Sequence, residues 1–430
     1  MRNTLAGMLD TLLSPRADNI ERRRQAKHLA SITITRGVVI LVQLFYIKLY
    51  SNLLTKPELG LYAFWMAVSY GWTALIFIPL DQFQQTNFLR MRARGISILS
   101  FLPMNKIVLT TTAIICLLGM VGQTIWQKHT SFELLICYAL AVATYFASSL
   151  RNFVNNLGHK TVTSMSMVVE AICKVAFLFV FVRLTLLKPI GIVGMAALAM
   201  GAVVLSIAPF IRKYQLFAGT KREYPNSRVT VLFCMPLAAQ ALLNWLQLRG
   251  VSFLAPFGNA EAIGIYFTVA AIGQAGMAAV ASILTQMFVP ELLKSEGAFL
   301  KTYLLICGAA TALMMLIVAL FGTLLTRLLT NVHFSAYALL AEFGIVVEAG
   351  NLMLTAATIY LQLRNKTIGS LISGLIALGI CLAVIGTSAI FGWFTPYTIG
   401  SALGLSQLGA VAYLIWQCQR LEHYQRPQAS

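Results

Sequence analysis

The chain has 430 residues, of which 58% are apolar and only 11% are charged, and its mean hydropathy is +0.78. Soluble globular chains carry about 25% charged residues, so a water-covered fold of this size is excluded and the bilayer is the natural solvent. The formal charge of +18 must therefore be read from where the basic residues fall along the chain.

Residues 1–28 contain Arg16, Arg22, Arg23, Arg24 and Lys27 with no apolar core ahead of them. This predicts a cytoplasmic tail in place of a cleaved signal. Within it, residues 4–13 are weakly amphipathic, which suits either the inner leaflet or disorder. Twelve apolar runs follow, at 29–53, 61–80, 98–122, 134–153, 162–182, 190–211, 229–254, 263–289, 302–325, 339–361, 368–391 and 398–416. Each is long enough to cross a bilayer as a helix, which takes roughly 20 residues. None shows the alternating polarity of a transmembrane barrel strand.

In the first run Arg36, Gln43 and Tyr50 are spaced by seven and share one helix face. Arg36 lies roughly 10 Å into the span, which permits either snorkelling to the headgroups or contact with an anionic group in a cavity. A guanidinium can grip phosphate oxygens in pairs. Lys48 approaches the far end of the same run, while Asp81 and Lys106 sit near a boundary and receive no role. In the fifth run Glu170 and Lys174 have the spacing and order of an ion pair. They either neutralise each other or open during transport, with Lys174 meeting anionic cargo and Glu170 exchanging a proton.

The seventh run contains Pro236, a predicted kink, and places Gln240, Asn244 and Gln247 on one face; Arg249 points off that face and favours snorkelling. In the tenth run Glu342 is interfacial. Glu348 lies deeper without a basic residue one turn away, which makes it the best candidate for proton or cation coupling. In the last run Gly400 and Gly404 form a GxxxG pattern, read as close helix packing.

Lys and Arg concentrate in alternate loops: with the N-terminus inside, cytoplasmic segments hold 22 and the opposite loops 5. Both termini are expected inside. Charge shared out loop by loop also argues against a nucleic-acid partner and suits anionic membrane lipids.

The segment Glu58-Leu59-Gly60-Leu61-Tyr62 before the second run and Glu261-Ala262-Ile263-Gly264-Ile265-Tyr266 before the eighth are offset by 204 residues. At that offset Gln43 meets Gln247 and Arg36 meets Gln240. The predicted fold class is therefore an all-α polytopic membrane protein of about twelve transmembrane helices. They form two six-helix bundles, 29–211 and 229–417, related by a pseudo-twofold axis along the membrane normal. A basic cytoplasmic linker, 212–228, joins them, and 418–430 form a cytoplasmic tail. A substrate cavity between the halves is expected to be lined by Arg36, Gln43, Tyr50, Lys174, Gln240, Asn244 and Gln247, with Glu348 and Glu170 as ion-coupling residues.

Enzyme chemistry finds little support. Gly158-His159-Lys160-Thr161 is not a phosphate-binding loop, the five His are isolated, and the seven Cys read as small buried apolar residues. No metal site and no cofactor is expected beyond a coupling H+ or Na+.

Arg36, the stretch Glu58-Leu59-Gly60-Leu61-Tyr62 and twelve spans with both ends inside resemble the O-antigen and polysaccharide (Wzx-like) flippases of the multidrug/oligosaccharidyl-lipid/polysaccharide (MOP) exporter superfamily. The resemblance covers the chain as architecture and residues 30–85 as motif. It implies a V-shaped pair of bundles around a cationic lumen in the bacterial inner membrane. The implied cargo is an undecaprenyl-pyrophosphate-linked oligosaccharide, carried by alternating access, with a polysaccharide polymerase and chain-length regulator as partners. The modest number of intramembrane cations departs from that pattern. Two alternatives stand beside it: a MATE-like small-molecule exporter, and a membrane polysaccharide polymerase or ligase.

Overall fold

The computed structural model describes residues 19–127, 132–184, 188–213, 227–295, 297–364, 366 and 368–425. The amphipathic stretch 4–13, most of the linker and the last five residues lie outside that set. Among the described residues every regular element is helical: α1 (Asn19–Leu53), α2 (Lys56–Trp72), a π-helical segment (Thr73–Phe77), α3 (Ile78–Ala93), α4 (Leu102–Gln127), α5 (Glu133–Asn156), α6 (Lys160–Arg183) and α7 (Pro189–Lys213). The second half continues with α8 (Ser227–Arg249), a 3-10 segment (Gly250–Phe257), α9 (Ala260–Lys294), α10 (Leu300–Leu329), α11 (Leu340–Leu363), α12 (Ile368–Ile390) and α13 (Pro396–Gln425). Twelve of these stretches are long and apolar enough to cross a membrane, α2 and α3 together forming one. The chain is a multi-pass membrane protein.

Two ends differ from the sequence reading. α1 begins at Asn19, inside the stretch assigned to the tail, because Glu21 through Lys27 are mostly straight-chain helix formers that propagate the helix beyond its apolar part. α13 runs past the apolar stretch to Gln425. The run at 229–254 is also not one α-helix, since it turns into the 3-10 segment at Gly250 and stops at Gly258, whose φ of +97° ends it.

The motif before the second run is a helix start. The Thr55 hydroxyl accepts from the Glu58 N–H, the Glu58 carboxylate accepts from the Thr55 N–H at 2.8 Å, and Pro57 occupies the first turn. Its counterpart opens α9, and the two motifs meet. A Cβ on Gly60 would collide with the carbonyl of Ala260, and one on Gly264 with the carbonyl of Lys56. Each of the two pairs, 56/260 and 60/264, is separated by the same 204 residues. Such reciprocity is what a twofold relation between the halves produces. Across the crossing Lys56 Nζ lies 3.3 Å from Glu261 Oε1.

The repeat extends inward. In the second half α9 and α11 approach closely where Gly273 faces the Ala341 carbonyl and Gly344 the Ala270 carbonyl. At the equivalent place in the first half the Cys137 thiol, 204 positions before Ala341, donates to the Trp65 carbonyl at 3.3 Å. Gly400 and Gly404 lie against the Phe343 ring and seat α13 on α11. Five of the seven cysteines are buried and all are free.

Gly60→Ala should cost about 1–3 kcal/mol, because the added methyl meets backbone that cannot rotate away. Thermal unfolding in detergent is expected to show a midpoint several degrees lower. Gly37→Ala, where the methyl meets open space, should leave it unchanged or slightly raised.

Candidate functional site

The halves approach most closely at the α2–α9 crossing and meet again along α3 and α8, where the Cys234 thiol donates to the Pro79 carbonyl at 3.5 Å and Phe83 meets Phe233; three adjoining chambers lie beside these contacts. The first, about 290 Å³, is lined by Gln43, Tyr50 and Tyr62 together with Lys174, Gln274 and Glu348. The second, about 370 Å³, shares Ala278 and Glu348 with it and adds Arg36, Thr285 and Asn351. The third, about 530 Å³, shares Asn351 and Thr355 with the second and adds Gln240, Asn244, Tyr70, Trp245 and Arg249. One polar space thus runs between the two bundles, with walls from α1, α2 and α6 on one side and α8, α9 and α11 on the other.

The first-half wall carries net positive charge. On the first-half wall Glu170 is held by two cations, Lys174 Nζ at 2.6 Å and Arg151 at 2.8 Å. Arg151 also donates to the Ser166 hydroxyl and carbonyl, both at 2.9 Å, so it is locked between α5 and α6. Arg36 lies within electrostatic reach of Arg151, and its Nε, buried, has no hydrogen-bond partner among the described residues. Three cations against one carboxylate leave this wall positive. The facing wall carries Glu348, whose carboxylate is met only by Asn351 Nδ2 at 3.5 Å; Asn351 is in turn held by Gln407 at 3.0 Å.

The third chamber has its own cation. The Arg249 guanidinium sits 5.1 Å from the Tyr70 ring centre and 5.2 Å from that of Phe267, bridging the two halves by stacking. No ion pair to Arg249 occurs among the described residues. Its hydrogen-bonding edge therefore remains available to a ligand in the chamber it lines.

Of the residues singled out from sequence, Arg36, Gln43, Tyr50, Lys174, Gln240, Asn244 and Glu348 line the chambers. Gln247 does not. It is 2% exposed and donates to the Ser406 hydroxyl at 2.8 Å, joining α8 to α13 inside the second bundle. By Gln247 the outer part of α8 packs on its own bundle. Glu170 is committed to two cations, which leaves its carboxylate no free edge for ion exchange. Arg249 does not snorkel, because the rings of Tyr70 and Phe267 hold it inward.

Sequence reasoning also missed Arg151, which was counted as a loop charge but is buried, and Asn351, which stands three residues after Glu348 and so shares its face. Asp81, given no role, is buried and accepts from Ser149 at 2.6 Å, Asn152 at 2.9 Å and Gln85 at 2.5 Å. Among the described residues no group of three His, Cys, Asp or Glu is placed to hold a metal ion.

This architecture occurs in solved transporters. A mutant of the Vibrio cholerae MATE transporter VcmN superposes with a TM-score of 0.59 at 16% identity, over 93% of this chain and 98% of that one. The chain has the fold of the MATE transporters. A MOP superfamily transporter from Pyrococcus furiosus, described as having a binding pocket of reverse polarity, gives 0.58 at 14% identity over 93% and 96%. The outward-facing conformation of a multidrug resistance MATE family transporter gives 0.56 at 15% over 92% and 95%. At these identities the likeness is one of fold, and it does not single out the polysaccharide flippases. No family model and no curated protein matches the chain.

Glu170→Gln should destabilise the first bundle by on the order of 3 kcal/mol, because it strands two partly buried cations. Combining it with Lys174→Met should recover part of that loss. Chemical unfolding in detergent, followed by tryptophan fluorescence, measures both.

Proposed function

We propose that the protein is an alternating-access exporter that moves a substrate bearing an anionic group through the space between its two bundles. The observation that carries this reading is the positive first-half wall: Arg36, whose Nε has no hydrogen-bond partner among the described residues, and Lys174 both line the chambers, and behind them Arg151 shares the Glu170 carboxylate with Lys174. The twofold-related halves, closed on each other at Gly60 and Gly264, supply the two bodies that alternating access needs. Glu348, which lines two of the chambers and has no ion-pair partner among the described residues, is the candidate for coupling to a proton or sodium gradient. The distribution of Lys and Arg supports both termini on the cytoplasmic side, and the resemblance to the polysaccharide flippases supports a bacterial inner-membrane location.

Two cargoes compete. The named structural neighbours are MATE transporters and give more support to a small-molecule exporter than to a flippase. The cationic lining supports a lipid-linked saccharide pyrophosphate, since a cationic drug would prefer acidic walls; the pocket polarity noted for the Pyrococcus protein indicates that linings on this fold vary. In the second case a polysaccharide polymerase and chain-length regulator would take up the product.

Arg36→Ala tests the common core. Loss of a charge-assisted contact worth about 2 kcal/mol should weaken binding of a polyprenyl-pyrophosphate-linked saccharide roughly thirtyfold, at unchanged protein level. Proteoliposomes loaded with that lipid or with a cationic dye distinguish the cargoes. Movement of the dye alone, indifferent to Arg36→Ala, would establish the small-molecule reading and remove the anionic one. Glu348→Gln should abolish the response of transport to an imposed ion gradient while leaving substrate binding in place.

A further inference from the structure

Two of the chambers hold charges of both signs that do not pair with each other. Arg36 and Glu348 line the same space of about 370 Å³, and Lys174 and Glu348 line its neighbour of about 290 Å³. The ion pairs among the described residues are Lys56–Glu261, Arg151–Glu170 and Lys174–Glu170, so none joins Glu348 to a cation. We propose that the chambers select a zwitterionic cargo, one with an ammonium a few bonds from its anionic group, and that Glu348 is the residue that reads the ammonium. The proposal rests on the anionic-cargo reading above and goes beyond it by naming a second charge on the cargo and the side chain that recognises it.

Charge matching separates the ligand classes. When two halves close on a ligand and water leaves, each charge on the walls needs a partner, because an ionic group left alone in a low dielectric is heavily penalised. An anion alone satisfies Arg36 and strands Glu348. A cation alone satisfies Glu348 and strands Arg36. A ligand that carries both charges satisfies both walls at once.

The space between the walls is kept open by α9. Its row facing the two chambers is Ala271, Ala275, Ala278 and Ser282, spaced by three or four residues and so on one helix face. Side chains this short neither fill the chambers nor bridge the charges, and they form a floor on which a ligand can lie.

The two ends of the ligand meet different chemistry. At one end the Arg36 guanidinium, with its buried Nε unpartnered among the described residues, can hold phosphate oxygens in pairs. At the other, Glu348 accepts a single long hydrogen bond, 3.5 Å from Asn351, which leaves acceptor capacity for an ammonium. Asn351 is itself braced by Gln407 at 3.0 Å. Tyr46, Tyr50 and Tyr62 line the chamber on the Glu348 side, their rings packed at 5.3 and 5.6 Å. Aromatic rings attract an ammonium through their quadrupole and give a phosphate nothing comparable. Lys174, in the same chamber, is engaged by Glu170 at 2.6 Å. An ammonium and a coupling ion are alternative occupants of Glu348, so each excludes the other. The gradient response of Glu348 is accordingly read with an amine-free cargo, whose binding does not call on the carboxylate.

Two matched pairs of soluble probes test this by thermal-shift titration of the full chain in detergent: phosphoethanolamine against ethyl phosphate, and glucosamine 1-phosphate against glucose 1-phosphate. Within each pair the phosphate is constant and one member alone carries the ammonium. The amine-bearing member of at least one pair should bind at least tenfold more tightly, and the pair that shows the preference distinguishes a headgroup amine from an amino sugar. N-acetylglucosamine 1-phosphate, whose nitrogen is uncharged, should match glucose 1-phosphate. Glu348→Gln should bring the two members to within about twofold of each other while the amine-free member binds as before; a carboxylate that served the gradient alone would leave the preference unmoved. Arg36→Ala should weaken both members alike. Where the amide variant folds poorly, the pairs measured on the unaltered protein decide. Equal binding within both pairs, or a preference that survives Glu348→Gln, overturns the proposal. Binding of no probe at all would instead refute the anionic-cargo reading, a result separable from equal binding within the pairs.

Discussion

The two halves come closest at a contact that tolerates no side chain, the crossing of α2 and α9 at Gly60 and Gly264. In hydrocarbon there is no hydrophobic drive to press helices together, so association depends on how near the backbones come. Two glycines facing carbonyls bring them as near as sterics allow and add weak Cα–H···O contacts. Because the contact is reciprocal, it fixes the relation between the bundles at one end of α2 and α9, and the seam between the halves continues to α3 and α8, where the Cys234 thiol donates to the Pro79 carbonyl. The polar chambers lie between the halves beside that seam. The Thr55–Glu58 cap and the Lys56–Glu261 pair decorate the same point, so helix initiation and interbundle docking are properties of one short motif.

Carboxylates of the same type meet contrasting fates on the two walls. Glu170, on α6, has Arg151 and Lys174 on either oxygen, a closed arrangement in which the carboxylate is held by two cations inside the first bundle. Glu348 has one long hydrogen bond from an amide and open space in front of it. The first suits a scaffold that must not change as the bundles move, and the second suits an exchangeable ion. That difference comes from the neighbouring helix and not from the residue, since both glutamates sit well inside apolar runs.

Much of the architecture was legible in the sequence because hydropathy over twenty residues is a property of the chain alone. The twelve spans and the 204-residue repeat were read from the chain itself, whereas the capped helix start at Thr55–Glu58 was seen there only as a repeated motif. The faces of helices were legible too, so Arg36, Gln43 and Tyr50, and Gln240 with Asn244, fall where periodicity places them. What periodicity does not encode is the neighbour opposite a face. Gln247 shares the stripe of Gln240 yet meets Ser406, because the outer part of α8 packs on α13. Arg151 was hidden by the uncertainty of span ends, which turned a buried ion-pair partner into a loop charge. The π-helical segment left no trace in composition, because inserting one residue in a helix changes phase without changing residue type.

Arg249 leaves the protein with a permanent source of field. Its companions are the rings of Tyr70 and Phe267 rather than an acid. The space between the halves therefore holds a carboxylate near Asn351 in one chamber and a ring-stacked cation in the next, an electrical asymmetry between two halves of otherwise similar build.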